Sequence, residues 1–213
     1  MEKNIESIWK GGFLKDDALV APKLNNLYNQ KSKHIIAKFN RMFKRNLVAL
    51  VLGSTLFLIY SIFADILVMG IGTFLISNAI VIVNLKLMKT LTHINKNVSS
   101  YSYLKAFDKW LKDQLQLNRK MARIYYPLYF ITAVVGIWYS GNFQVLLSEI
   151  LGNPHQIYLV NGFPVLWLIP VILVVSLMAI FGDKIYNFDV SLVYGRIFRK
   201  LNDMIADIEE LRK

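Results

Sequence analysis

Cysteine is absent from this 213-residue chain, and histidine is scarce, with three in all. Without thiols the chain can form no disulfide and no thiolate zinc site. The histidines, His34, His93 and His155, stand far apart and never in the His-x-x-x-His spacing that places two ligands on one helix face. We therefore predict no metal site and no cofactor.

Motifs for phosphate binding and nucleophilic catalysis are also missing. The chain has no Gly-x-x-x-x-Gly-Lys-Ser/Thr loop and no Gly-x-Ser-x-Gly turn, and Gly70 with Gly72 lacks the third glycine of a dinucleotide fingerprint. We interpret this pair, together with Gly53, as sites of close packing between the first two apolar helices. The sequence assigns no catalytic or cofactor-binding residue, and it does not favour an enzyme.

Charge is absent from four long apolar tracts, residues 47–63, 66–85, 124–148 and 150–182. About 20 apolar residues of α-helix cross a bilayer core about 30 Å thick, and every tract approaches or exceeds that length. Hydrophobic residues make up 55% of the chain, and the mean hydropathy is +0.40. Because one small soluble core cannot bury four such tracts, we predict an all-α, polytopic membrane protein.

Turn residues divide the tracts into four spans, which we pair as two transmembrane hairpins, residues 47–87 and 124–182. Asp65 lies in the tight turn of the first hairpin. Pro127 is expected in the first turn of the third span, and Pro170 as a kink in the fourth. Since the region before the first span is polar, we expect that span to be retained as a signal anchor. The predicted spans are Leu47–Phe63, Leu67–Leu87, Ile124–Phe143 and Val165–Phe181.

Basic residues are missing from one connection, GNFQVLLSEILGNPHQIYLVNGFP, residues 141–164, although the chain carries 25 of them and a net charge of +11. Ten lie in residues 1–46, nine in 86–123 and six in 183–213. Because basic loops stay in the cytoplasm, we predict that both termini and the central segment lie inside. The basic segments would attract anionic lipid of the inner leaflet, which explains the charge without nucleic-acid binding.

Three segments are predicted to form cytoplasmic helices that extend the spans: a basic N-terminal arm (1–46), a central segment (88–123) and a C-terminal helix (183–213). The C-terminal helix carries a heptad seam over about three heptads. Such a seam either packs against the chain's own cytoplasmic helices in a bundle, or forms a coiled-coil homodimer or a partner-binding helix. The seam consists of Val190, Tyr194, Ile197, Leu201, Met204, Ile208 and Leu211.

Candidate partner-binding residues come from both ends of the chain. Trp9 shares one helical face with apolar neighbours, in a segment that is an interfacial helix, a docking peptide or a frayed end. Asp16 and Asp17 form the only acidic pair of the N-terminal arm, and either cap a short helix or contact a partner. The C-terminal candidates are Ile197, Leu201 and Ile208.

Neutral polar side chains interrupt the second span at Ser77, Asn78 and Asn84. Such residues more often bond across helices than line a pore. In the outer connection, Gln144 to Leu151 has a helical pattern that predicts a short helix on the outer leaflet, with a sensing loop as the alternative.

The opening arm, IWKGGFLKDDALVAPKLNNLYNQKSKHIIAKFNRMFKRN, and the hairpin pattern resemble those of small uncharacterised four-span inner-membrane proteins of Bacteroidota-type bacteria. The resemblance implies a bacterial cytoplasmic (inner) membrane as the location, but it implies no known activity and carries over no site residue.

Three functions remain open. The first is a membrane-anchored interaction or signalling protein, in an anti-sigma-like or adaptor role, whose cytoplasmic helices bind a partner. The second is a channel or small-solute carrier formed as an oligomer, which would use the polar face of the second span. The third is a lipid-active membrane enzyme, for which His93 with Asp108 and Asp113 is the one candidate group.

Overall fold

The computed structural model describes residues 22–95, 98–151, 159–160 and 163–210. This part of the chain is almost entirely α-helical, which confirms the predicted all-α class. A turn of 3-10 helix, Leu91–His93, follows the second α-helix. The α-helices are α1 Pro22–Phe63, α2 Leu67–Thr90, α3 Ser100–Trp138, α4 Gly141–Leu151 and α5 Val165–Glu210.

Among the described residues, four helices are long and apolar enough to cross a membrane, as expected of the predicted multi-pass protein. Each is longer than its apolar tract, because the polar sequence on one side of the tract is helical as well. The four candidate stretches are Gln30–Phe63, Leu67–His93, Ser100–Trp138 and Trp167–Glu210.

Proline marks one helix start and lies inside two helices. Pro22 begins α1, where its missing N–H costs nothing. Pro127 does not begin a helix, contrary to the prediction, because α3 starts at Ser100 and continues through it. At that start the Ser99 hydroxyl accepts a hydrogen bond from the Ser102 backbone N–H at 3.3 Å, which caps the helix.

The chain divides into two compact units. Unit 1 takes in residues up to Lys44, Leu87–Leu115 and residues from Val190 onward. Its interior is made of large apolar side chains, and Leu104 and Phe107 are completely buried. The buried members of this core are Ile36, Phe39, Tyr103, Leu104, Phe107, Leu111, Tyr194, Ile197, Leu201, Met204 and Ile208.

Unit 2 takes in Arg45–Lys86 and Gln116–Asp189. Most of its buried side chains are small or polar, while large apolar side chains cover its surface. Ser61 is completely buried, whereas Phe63 is 84% exposed. The buried polar residues of unit 2 are Ser54, Ser61, Ser77, Asn84, Asn118 and Ser140.

Glycines in unit 2 mark where its helices approach most closely. Gly70 faces Ser61 of α1, as predicted. Gly72 instead faces Thr132 of α3, and Gly53 has open space around it, so the predicted packing role is wrong for these two. Helix α2 therefore packs small residues against α1 and α3 on different faces.

Extended structure in the described residues is limited to one short pair. Leu159–Val160 pairs antiparallel with Phe163–Pro164, directly before α5. The pair lies within the predicted outer connection. The same connection contains α4, the helix predicted from Gln144 to Leu151, which begins three residues earlier, at Gly141.

Candidate binding surfaces

The heptad seam of α5 is buried inside unit 1. Ile197, Leu201 and Ile208 belong to the unit 1 core and pack with Leu104 and Phe107. The chain's own helices thus cover these three candidate partner-binding residues, as the intramolecular interpretation expects. A partner would reach their side chains only after α5 had separated from the unit. Of the other candidates, Trp9, Asp16 and Asp17 lie outside the described residues.

The core of unit 1 contains an aromatic cluster that the heptad pattern of α5 did not predict. Phe39 of α1 lies at its centre, with the rings of Phe107 and Tyr194 at centroid distances of 5.6 and 5.5 Å. The indole N–H of Trp110 donates a hydrogen bond to the Thr90 hydroxyl at 2.8 Å, which links α3 to the end of α2. Aromatic contacts of this kind contribute beyond their buried area. The cluster draws on three segments far apart in the sequence, so no local pattern could reveal it.

Two grooves open on the surface of unit 1. The first, the mixed-charge groove, has a volume of about 560 Å³ and lies between α1 and α5. Ile35 and Met204 supply apolar surface, while lysine, histidine and aspartate side chains bring both signs of charge. Its lining residues are Gln30, Lys31, His34, Ile35, Lys200, Asp203, Met204 and Asp207.

The second, the basic groove, has a volume of about 490 Å³ and lies between α1 and the end of α2. Three lysines line it, and no acidic residue does. Tyr103 of α3 also lines the groove, and burial raises the pKa of its hydroxyl group. The lining residues are Lys33, Ile36, Ala37, Asn40, Lys44, Met88, Lys89, Leu91, Thr92 and Tyr103.

An exposed polar network ties the beginning of α3 to the end of α5. The Tyr101 hydroxyl donates to a Glu209 carboxylate oxygen at 2.8 Å, and the Lys105 ammonium donates to the Tyr101 oxygen at 2.7 Å. The hydrogen bond to Tyr101 raises the pKa of Lys105, with a smaller contribution from Glu209. Exposed pairs of this kind contribute little to stability. The network joins the first turn of α3 to the last turn of α5 and so favours one alignment of the two helices.

The candidate polar residues of α2 make hydrogen bonds within unit 2. Ser77 and Tyr129 of α3 share a hydrogen bond of 2.8 Å between their hydroxyl groups. The side-chain amides of Asn78 and Asn84 donate to the backbone carbonyls of Phe74 and Ile80, one helical turn back. Ser77 therefore bonds across helices, whereas both asparagine side chains bond to their own helix.

The residues considered for lipid chemistry do not assemble a site. His93 and Asp113 are exposed, and Asp108 is paired with Lys112 at 2.6 Å on its own helix. Within the described ranges, no three His, Cys, Asp or Glu side chains are arranged to hold a metal ion. The positions of His93, Asp108 and Asp113 therefore do not support the predicted role in lipid chemistry.

Asp65 connects two turns at one end of unit 2. It has a positive φ of 57°, a conformation that aspartate tolerates better than most residues. Its carboxylate accepts a hydrogen bond from the Gly141 backbone N–H at 2.6 Å, at the first residue of α4. A carboxylate there satisfies a free N–H and complements the helix dipole. The sequence predicted the turn but not this contact.

Three aromatic rings gather near the same helix start. Trp138, Phe143 and Trp167 lie with ring centroids 5.2 to 5.8 Å apart. They come from the end of α3, from α4 and from the beginning of α5. Aromatic side chains of this kind are typical of membrane–water interfaces.

No protein family, curated protein or solved structure matched the chain in the three comparisons made. The resemblance of the opening arm to Bacteroidota-type membrane proteins therefore stays a prediction.

Proposed function

We propose that this protein is a multi-pass inner-membrane protein whose cytoplasmic helices, gathered in unit 1, bind a protein partner in an adaptor or anti-sigma-like role. The observation that carries the proposal is the separate core of unit 1. Four spans need only short connections, yet this chain builds eleven buried apolar residues into a unit of soluble-protein type. A packed unit in addition to the spans is expected where a protein must present a defined binding surface to a partner.

The proposed orientation follows from the charge pattern. Residues up to Lys44 and from Leu87 to Leu115 belong to unit 1 and carry most of the basic residues of the chain. Because basic segments remain inside, unit 1 faces the cytoplasm, and α4 with the Asp65 turn faces outward.

The mixed-charge groove is the proposed partner site. Asp203 and Asp207 lie one turn apart on α5, and Lys31 and His34 lie across the groove on α1. A helix or extended peptide that carries both charge signs and one apolar residue would match this lining. The heptad seam is covered by the chain's own helices, whereas the mixed-charge groove is open to a partner.

A site-directed crosslink tests the partner site in cells. A photo-crosslinking amino acid placed at His34 should give a discrete protein adduct, and one placed at the exposed Asp113 should not. The adduct should disappear when Asp203 and Asp207 are both replaced by lysine. Deleting residues 1–46 is a poorer test, because it removes Ile36 and Phe39 from the core. Adducts containing only lipid or the protein itself would contradict the proposal.

A topology experiment tests the orientation independently. A tag inserted after Asn153 should react with a membrane-impermeant reagent outside intact cells, and a tag after Lys213 should react only after permeabilisation. The opposite pattern would reverse the proposed orientation, whatever the result of the crosslink.

The channel and enzyme hypotheses receive no such support. The hydrogen bonds of Asn78 and Asn84 to their own helix indicate structural side chains, and within the described residues His93 belongs to no group that could hold a metal ion. Both hypotheses stay predictions, without a site in the described residues.

A further inference from the structure

The basic groove differs in kind from the mixed-charge groove. Lys33, Lys44 and Lys89 face the same space, and no carboxylate lines it. Three cationic side chains that line one groove without a carboxylate give it a positive potential, which attracts an anion. The lining thus selects for negative charge, whereas the aspartates of the other groove balance its lysines.

The positions of Lys44 and Lys89 along the chain point to the membrane surface. Lys44 precedes the first apolar tract, which begins at Leu47, by three residues on the same helix. Lys89 follows the second predicted span, which ends at Leu87, by two residues on α2. A helix rises about 1.5 Å per residue, so both lysines lie within one turn of apolar sequence, where phospholipid headgroups are found.

The remaining lining suits a molecule that is part polar and part apolar. Ile36, Met88 and Leu91 supply apolar surface, and Thr92 supplies a hydroxyl. The side-chain oxygen of Asn40 is buried without a hydrogen-bond partner. Since a half-turn of an amide exchanges its oxygen and nitrogen, Asn40 can offer either an acceptor to a headgroup hydroxyl or a donor to a phosphate oxygen.

We infer that the basic groove binds the phosphate group of an anionic phospholipid, with Lys44 and Lys89 as its cationic partners and Lys33 as a more distant positive charge on the same lining. A soluble phosphate ester shares the headgroup chemistry, but it would make no use of the apolar floor or of the nearby spans. The inference rests on the membrane insertion proposed above, and it is independent of any protein partner.

The test uses the full chain in nanodiscs of zwitterionic lipid containing a small fraction of phosphatidylglycerol. Native mass spectrometry counts the phosphatidylglycerol molecules that remain bound. Replacing Lys33, Lys44 and Lys89 by glutamine should reduce retention about 25-fold, from roughly fivefold each for Lys44 and Lys89 near the headgroups, with a smaller contribution from Lys33. The matched control replaces the exposed Lys38, Lys109 and Lys120, which removes the same charge outside the groove. The control should change retention only a few-fold.

Equal losses in the two triple variants would overturn the site and leave only general attraction between a basic protein and anionic lipid. A second arm adds glycerol 3-phosphate to the protein in purely zwitterionic nanodiscs. If that compound raises the thermal midpoint as much as phosphatidylglycerol does, the ligand is a soluble phosphate ester and the lipid assignment is wrong. Unfolding midpoints in zwitterionic lipid alone establish that both variants are folded. Nanodiscs expose both faces to the same lipid, so the result does not depend on partner binding or on the orientation in cells.

Discussion

Units 1 and 2 are built from one chain, yet they bury opposite kinds of side chain. Unit 1 encloses phenylalanine, leucine and isoleucine, as soluble proteins do. Unit 2 encloses serine, asparagine and glycine and exposes leucine, isoleucine and phenylalanine. In water the surface of unit 2 would be a large apolar patch, whereas in lipid it matches its solvent. The difference teaches that burial alone does not define a core, because the surrounding solvent decides which side chains gain from leaving it.

The same contrast explains how the helices of each unit are held together. In unit 1 the removal of apolar surface from water stabilises the packing. In unit 2 lipid tails are as apolar as leucine, so close approach and interhelical hydrogen bonds must supply the attraction. Substitutions in the two units should therefore fail for different physical reasons.

The largest effect is expected from Phe107→Ala in unit 1. Phe107 is completely buried within the aromatic cluster, so its loss leaves a cavity and costs about 3–5 kcal/mol of unfolding free energy. Denaturant unfolding in a mild detergent, followed by circular dichroism, measures the change. Leu192→Ala is the control, because Leu192 is 75% exposed, and it should change stability by less than about 0.5 kcal/mol. Equal losses for both variants would mean that unit 1 has no core of the described kind.

The next effect comes from a pair of glycines in unit 2. An added Cβ at Gly136 would meet the Met69 backbone, at 2.6 Å from its nitrogen and 2.9 Å from its Cα. Gly136→Ala must push α2 and α3 apart, at a cost of about 1–3 kcal/mol. Gly53→Ala meets nothing within 4 Å and should stabilise α1 by up to about 1 kcal/mol, through its higher helix propensity. Opposite signs in one unfolding assay are the expected result, and two changes of the same sign would contradict the assignment of the contact.

A smaller effect measures the hydrogen bond between α2 and α3. A double-mutant cycle with Ser77→Ala and Tyr129→Phe removes the 2.8 Å bond without changing much volume. Interhelical bonds in membranes couple by about 0.6 kcal/mol on average, and the cycle should return a value of that order. The same cycle between Asn78→Ala and Tyr129→Phe serves as the control, since Asn78 bonds to its own helix. A coupling energy near zero for the first pair would remove this bond from the forces that hold unit 2 together.

Repeating sequence patterns predicted the helices and the inner face of α5. Tyr194, Ile197, Leu201, Met204 and Ile208 occupy seam positions, and all five are buried. Heptad spacing fixes a helix face, and a face with water around it must be covered, so the inference needed no tertiary information. The pattern did not say what covers it, which is why the homodimer and the intramolecular bundle both remained open.

Contacts between distant segments could not be predicted in this way. Lys33, Lys44 and Lys89 looked like ordinary juxtamembrane charges, and only the packing of α1 against the end of α2 places them around one groove. Gly72 was assigned to the wrong neighbouring helix, because a small residue indicates close packing but not which helix packs against it. Pro127 was misplaced because the sequence pattern locates the apolar tract, whereas the helix itself begins at Ser100.

The smallest expected effect concerns the ion pair between Arg123 and Asp183 in unit 2. The guanidinium of Arg123 donates to Asp183 at 2.9 Å and holds the pKa of that carboxyl below its usual value. A depressed folded-state pKa contributes stability that is fully present above the unfolded value, near 3.8, and is lost as the pH falls through the folded value. The thermal midpoint of the wild type in detergent should therefore approach that of Asp183→Asn below about pH 3.8 and separate from it towards neutral pH. Because Asp183 is at the surface, the separation should shrink in high salt. If the difference in thermal midpoint persists at low pH, Asp183 contributes through packing rather than through its charge. The neighbouring residue Gly182 lies against α3, where an added Cβ would be 2.9 Å from the Arg123 Cα, so a packing contribution at this position has a structural basis.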